Sequence, residues 1–323
     1  MKKTTLLLLA LVFVFGACSK TAQTTTASAT PNVTEEVAAV PFDMVIIETP
    51  VSPGTGMEDP ALTRGLEMFA KAPANITKVD YALAKDAPEY AGLDMSYMPL
   101  YLIKKNEATM AAFNEHIKAG YIKTHGDFIV FERQTRKGIY MDKKLQSNTL
   151  EIFVMSQCPY GAMAENKVID AQKAGKIGKD IKIKLRYIVT DMGNGDFRSL
   201  HGPAEWEENV RQLIIQKYYP SKLWKYLEER NKNYISSRWD VALKAAGIPV
   251  NNVTSKWDEG VKMLQQDAKY SQEFRVSGSP SFLWEGRTVL DFGSVGQVKG
   301  LEFLSPTAPG AAPGAPAVNP GSC

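Results

Sequence analysis

The chain is poor in cysteine and in histidine, with three of each among 323 residues. Three cysteines do not make a disulfide-stapled scaffold, so each has to be explained singly. The three histidines form no His/Cys spacing suited to zinc, and no metal site is expected. An excess of one charge is also missing: 38 basic residues stand against 35 acidic ones, a net charge of +3, with no Lys/Arg block. That balance removes the electrostatic case for a nucleic-acid partner. Asp191, Asn194 and Asp196 lie in a Gly-containing loop, but the bidentate Glu of a calcium loop is missing, so they read as turn chemistry. No cofactor is implied by any of these residues. The length and a hydrophobic content of 44% provide for two ordinary domains.

The first cysteine belongs to the N-terminus. Lys2 and Lys3 precede an apolar stretch at 6–15, the length of a signal-peptide core and too short for a comfortable membrane span. It ends Phe15-Gly16-Ala17-Cys18, which resembles a bacterial lipobox, although Phe15 stands where Leu is usual. The resemblance implies a leader at 1–17, cleavage before Cys18 and lipidation of that cysteine. The protein would then be anchored by lipid to the membrane of the cell envelope. Ser19 implies outer-membrane sorting in a Gram-negative cell. An ordinary secretory signal is the alternative. Residues 18–41, rich in Thr, Ala and Ser, have too little to bury and are expected to be a flexible tether. Residues 306–323 are Pro-, Gly- and Ala-rich, are expected to be a disordered tail, and carry Cys323.

Residues 149–305 have the clearer plan. A buried-strand run at 150–155 leads to Cys158-Pro159 and an Ala-rich helix at 163–174. Pro159 suits a first helical position, where its missing N–H is not needed. Alternation at 181–189 predicts a second strand. Trp206, Val210, Leu213 and Ile214 then share one helix face. Leu223, Trp224 and Leu227 mark another helix, and a third at 239–246 is stopped by Gly247 and Pro249. Trp257, Val261, Leu264 and Ala268 give a fourth. The tryptophans at 206, 224, 239 and 257 are expected to pack this helical block, about 203–270. After Ser279-Pro280, 281–284 and 288–292 read as a hairpin turning at Glu285-Gly286, and a short helix is expected at 295–303.

Two signatures frame that block: Met155-Ser156-Gln157-Cys158-Pro159-Tyr160-Gly161 and Val276-Ser277-Gly278-Ser279-Pro280-Ser281-Phe282. Together with the element order they resemble the thioredoxin superfamily, specifically the DsbA-like thiol-disulfide oxidoreductases, whose thioredoxin fold carries a helical insertion. The resemblance implies an α/β fold with Cys158 as the nucleophile and Pro159, Tyr160 and Gly161 shaping its motif. It also implies a cis peptide at Pro280, with Ser279 and Pro280 forming the wall against which an extended substrate lies. The partners implied are protein or peptide thiols and disulfides. From the residues themselves, a cysteine where a strand meets a helix N-terminus is well placed to react as thiolate, because free N–H groups and the helix dipole favour negative charge.

The family carries a second cysteine at the fourth motif position, where this chain has Gly161. A paired motif releases its mixed disulfide by attack from its own partner thiol, which Gly161 cannot supply. Three readings follow. Cys158 acts as a monothiol resolved by an external, low-molecular-weight thiol; Cys323 is the resolving thiol; or the chemistry is lost and a non-catalytic, chaperone-like peptide-binding surface remains. A monothiol peroxidase ranks behind these, for want of an identifiable peroxide site. His201 can be placed near Cys158 as a base, but reads first as an exposed or capping loop residue.

Residues 42–146 are vaguer. Strands at 44–47 and 77–83, a helix at 60–70, and strands at 128–131 and 138–141 are expected to build one small sheet. Tyr97-Met98-Pro99-Leu100-Tyr101-Leu102-Ile103 resembles a second cis-proline strand. The segment reads as a degenerate thioredoxin-like domain, with an unrelated small α/β domain as the alternative. Thr49-Pro50-Val51-Ser52-Pro53-Gly54 stands where active cysteines would lie, so no thiol chemistry is expected there.

Overall fold

A computed structural model describes residues 40–49, 57–131 and 137–306, all within one compact unit. The expected leader, Cys18 with its expected lipidation, the expected tether to residue 39, residues 50–54 of the run expected to stand in place of active cysteines, and the expected tail from residue 307 with Cys323 lie outside the described residues. Among the described residues no helix is long and apolar enough to cross a membrane.

The first half runs β1 (Phe42–Glu48), α1 (Pro60–Ala70), β2 (Ala74–Asp80), α2 (Tyr81–Ala84), β3 (Tyr97–Met98), β4 (Leu100–Lys104), α3 (Glu107–Lys118), β5 (Lys123–His125), β6 (Phe128–Phe131) and β7 (Gly138–Tyr140). In β1, Met44 and Ile46 feed one apolar cluster while Val45 and Ile47 feed another. Successive strand side chains point to opposite faces, so this central strand is apolar throughout. Asp59 starts α1 by accepting the amide hydrogens of Ala61 and Leu62, with Pro60 at the first helical position. β2 is parallel to β1, β4 is antiparallel to β1, and the sheet order is β2-β1-β4-β6-β5.

Three details depart from the sequence reading here. The strand expected at 77–83 starts earlier and stops at Asp80, whose carboxylate caps α2 by accepting from Ala82. Helix α3 was not anticipated; its signal is the reciprocal capping box of Asn106 and Thr109. The strand at 138–141 does not finish this sheet but pairs elsewhere.

The second half runs β8 (Thr149–Val154), α4 (Pro159–Lys173), β9 (Lys182–Tyr187), β10 (Thr190–Gly193), β11 (Asp196–Arg198), α5 (Pro203–Tyr218), α6 (Pro220–Arg230), α7 (Trp239–Ala246), α8 (Val250–Thr254), α9 (Trp257–Glu273), β12 (Ser281–Trp284) and β13 (Thr288–Leu290). β8 and β9 are parallel through the α4 crossover; β12 is antiparallel to β8, and β13 to β12. The peptide ahead of β12, Ser279–Pro280, is cis. With the order β13-β12-β8-β9 and α5–α9 inserted after β9, this segment has a thioredoxin-like fold with a helical insertion. Glu285 and Gly286, both at positive φ, make the tight turn between β12 and β13.

The insertion is anchored by charge as well as by its tryptophans, which pack on the main core. Arg186 on β9 pairs with Glu151 on β8 at 2.6 Å and with Asp267 on α9 at 2.8 Å, all three largely buried. Asp267 also accepts the Tyr187 amide at 3.0 Å. Breaking one member of such a set strands a buried charge, so the set fixes how α9 lies on the sheet.

β7 continues this second sheet. It pairs antiparallel with β13 through Thr288↔Ile139, and β3 pairs with β7 through Tyr97↔Tyr140. The open edge of β13 is thereby covered by strands from the first half. The helix expected at 295–303 is also absent; two 3₁₀ turns, Val295–Gln297 and Glu302–Leu304, take its place. Gly300 between them sits at φ +89°, and Ser305 packs so close on Gly296 that a Cβ there would lie 2.6 Å from the Ser305 Cα. An α-helix can satisfy neither condition.

Candidate functional site

Cys158 caps α4 at its N-terminus with extended backbone, φ −81° and ψ 126°, and Pro159 occupies the first helical position. Its amide donates to the Met155 carbonyl at 2.9 Å, which closes the turn out of β8. Opposite it stands the cis-proline loop. Cys158 Sγ lies 3.4 Å from the carbonyl oxygen of Ser279, and the Ser279 hydroxyl accepts the Met155 amide hydrogen at 2.9 Å. Ser279 and Pro280 are both buried. The two sequence signatures, over a hundred residues apart, therefore meet at one point.

Cys158 is fully buried and disulfide-bonded. Its surroundings are apolar: Met155, Ile188, Val276 and the rings of Tyr97, Tyr140 and Phe274 belong to the same cluster, with half-buried Tyr160 packed against it. Pro159 is exposed and Gly161 buried. At Gly161 a Cβ would lie 2.8 Å from the Ser279 hydroxyl and 3.1 Å from the Met155 carbonyl. The fourth motif position is thus packed against the proline loop at glycine size.

The turn before the cysteine is held by α5 through Glu205, a residue that sequence reasoning missed although it expected the helix. Glu205, fully buried in the first turn of α5, accepts the Gln157 amide hydrogen at 3.3 Å, and its own carbonyl accepts the Ser156 hydroxyl at 3.0 Å. The Ser156 amide donates to the Asn209 side chain at 3.2 Å. The same Glu205 carboxylate takes the amide and Nδ1 of His201 at 3.3 and 2.5 Å. His201 is a capping residue in an exposed loop, its ring turned to Glu205. An acidic residue three positions past the cap Gly202 is the signal that could have revealed Glu205.

Beside Met155 a groove of about 550 Å³ opens between the β9–α5 connection and the end of α9. It is lined by Met155, Thr190, Arg198, Leu200, Val276 and Ser277. Leu200 is 62% exposed at its rim. The groove is mixed in character and runs into the segment leading to Pro280. Among the described residues no group of His, Cys, Asp and Glu could hold a metal ion.

No family model matches the chain, and no curated protein matches it. Similar solved structures include a transitional conformation of ScsC from Proteus mirabilis, at 17% identity and a TM-score of 0.34, covering 46% of this chain and 62% of that one. The chain thus spans less than two thirds of that neighbour's length. Oxidised BdbD from Bacillus subtilis matches at 14% identity and TM-score 0.37, over 48% of this chain and 86% of that one. DsbA from Klebsiella pneumoniae matches at 19% identity and TM-score 0.36, over 54% and 92% respectively. The domain itself has a thioredoxin-like plan: a mixed sheet, a helical insertion after its second strand, and a cis-proline facing a cysteine-capped helix.

Proposed function

We propose that this chain is an extracytoplasmic thiol-disulfide exchange protein whose nucleophile is Cys158. The observation that carries the reading is the position of Cys158: it caps α4, its sulfur is 3.4 Å from the Ser279 carbonyl beside cis-Pro280, and it is already engaged in a disulfide. A cysteine thiolate at that cap draws on the unpaired N–H groups of the first turn. The Ser279-Pro280 loop offers backbone to an extended peptide, and the groove beside Met155 receives the side chains flanking its cysteine. Substrates are protein or peptide thiols and disulfides, and a low-molecular-weight thiol is a candidate co-substrate. Anchoring of Cys18 by lipid would hold the domain at the envelope surface. Should exchange fail, the same groove and proline loop support a peptide-binding role without chemistry.

The test is trapping. Full-length protein is reduced, freed of reductant and mixed with oxidised glutathione or a peptide disulfide, and the adduct is located by mass spectrometry. The expected result is one mixed disulfide, on Cys158, abolished by Cys158→Ser. A wild-type protein that captures no thiol at Cys158 under these conditions would overturn the reading.

A further inference from the structure

We infer that the groove beside Met155 selects substrates that carry a carboxylate close to the reacting cysteine, and that Arg198 is the side chain that reads it. The inference rests on the exchange reading above and names the substrate class of that same site. The groove and the nucleophile share a wall. Met155, Ile188 and Val276 line the groove and belong to the apolar cluster that surrounds Cys158. A peptide whose cysteine reaches Cys158 therefore lays its neighbouring side chains along the groove.

Another wall is the β10–β11 hairpin, and its packing decides which way Arg198 faces. Phe197 on β11 is buried and packs on Trp206, with ring centroids 5.5 Å apart. Neighbours on a strand face opposite ways, so Arg198 stands on the other side, level with its cross-strand partner Thr190, and both line the groove. Among the described residues that line the groove, Arg198 alone carries a charge; the others are apolar or neutral. Among the described residues its guanidinium also has no ion-pair or hydrogen-bond partner. The hairpin's own acids are turned to its backbone: Asp196 accepts the Phe197 amide hydrogen at 2.9 Å, and Asp191 accepts that of Gly193 at 2.9 Å.

One unpaired cation in an otherwise neutral groove gives the site a sign. The arginine fork matches a carboxylate through two parallel N–H bonds and keeps its charge at any physiological pH. A Glu or Asp beside the substrate cysteine gains that contact, whereas a Lys there meets like charge, so the discrimination has an attractive and a repulsive half. Arg198 is exposed, and the size of the effect follows from that: about threefold in rate for each half, as for ion pairs open to water, and about tenfold between Glu and Lys.

The decisive experiment is a competition. Reduced full-length protein meets pairs of alanine-based peptides, each with one cysteine activated as its 2-pyridyl disulfide. The members of a pair carry Glu or Lys at the same one of the two positions on either side of the cysteine. The Cys158 thiolate attacks the peptide sulfur and the Cys158–peptide disulfide forms. Pyridine-2-thiolate leaves with the electron pair and takes up a proton, so Cys158 is oxidised and the pyridyl sulfur reduced. The two adducts are counted on the tryptic peptide of residues 145–167, which contains Cys158, by mass spectrometry. At one or more positions the Glu adduct should exceed the Lys adduct about tenfold in wild type, come near parity in Arg198→Gln, and fall below parity in Arg198→Glu. Each protein is compared with itself, so a general loss of folding or reactivity does not imitate the reversal. A wild-type ratio near one at every position, or a Glu preference kept in Arg198→Glu, would overturn the inference and leave the exchange site standing. If wild type forms no adduct at Cys158 with any peptide, the exchange reading falls and this inference falls with it.

Discussion

Gly161 and Ser279 share one small space, and each sets what the other can be. The Ser279 hydroxyl is fixed by the Met155 amide, whose hydrogen it accepts at 2.9 Å, so it does not swing aside freely. Gly161→Ala forces a methyl group to within 2.8 Å of that oxygen and should destabilise the domain by about 1–3 kcal/mol, the usual cost of overpacking. Ser279→Ala removes the clash but strands a buried amide, at a similar cost of about 1–3 kcal/mol. The double variant should lose less than the sum of the two, a coupling of about 0.5 kcal/mol or more. Urea unfolding of the four proteins measures this, and strict additivity would show that the space is not shared. It follows that a dithiol motif is not restored by Gly161→Cys alone. Cys158, Pro159, Ser279 and Pro280 were legible because both signatures lie in short contiguous runs. Glu205 was not. It acts 48 residues from Gln157, through a contact made only once α5 packs on the turn.

At the scale of elements, the long helices α1, α4, α5, α6, α7 and α9 were read well, while α2, α3, α8 and the edges of the sheets were not. Helices α6, α7 and α9 each bury one stripe, and a stripe is written in the local sequence; α5, buried on all sides from Glu208 to Ile215, shows only its apolar residues to such a reading. α3 carries its signal in a capping box that the periodicity does not amplify. Strands β3 and β7 are two and three residues long; at that length no alternation exists to be read, and only pairing decides which sheet they join. Gly138 is the residue on which that pairing turns. A Cβ there would lie 2.4 Å from the Met98 carbonyl and 2.4 Å from the Tyr97 ring, and neither backbone nor a buried ring yields cheaply. Gly138→Ala should therefore detach β3 from β7 at about 3 kcal/mol, the top of the overpacking range. Hydrogen exchange at the Met141 amide, which donates to the Ser96 carbonyl at 2.8 Å, should then accelerate at least tenfold while β8 keeps its protection. Unchanged exchange there would mean that the β3–β7 pairing tolerates the methyl group.

At the scale of the molecule, two stretches of chain repeat one plan. In each, a strand and its parallel neighbour are joined through a helix, and an antiparallel strand follows a cis-proline: Met98–Pro99 before β4, Ser279–Pro280 before β12. Only the second carries a cysteine at its helix cap, and only the second carries the helical insertion. Where that insertion packs on α4 the molecule holds a buried acid, and its whole stability should depend on it. Glu165 on α4 is buried, with Asn231 Nδ2 donating to one oxygen at 2.8 Å and the other oxygen unpartnered. Burial raises its carboxyl from 4.5 to about 7, and the charge of Glu208 adds to the rise. Below pH 4.5 the acid is protonated in folded and unfolded chains alike, and it exerts no pH effect. Between pH 4.5 and 7 the unfolded chain ionises while the folded one keeps its proton. Stability then falls as pH rises, by about 1.4 kcal/mol per pH unit. Above pH 7 the loss levels off at about 3 kcal/mol. Glu165→Gln mimics the protonated acid and does not titrate. Its stability relative to wild type should be level below pH 4.5 and rise to a gain of about 3 kcal/mol by pH 8. Exposed acids elsewhere in the chain cancel in that difference. Denaturant unfolding of both proteins from pH 4 to pH 8 checks it, and parallel profiles would mean that Glu165 ionises at its ordinary value and that the α4–insertion contact is wetter than its geometry implies.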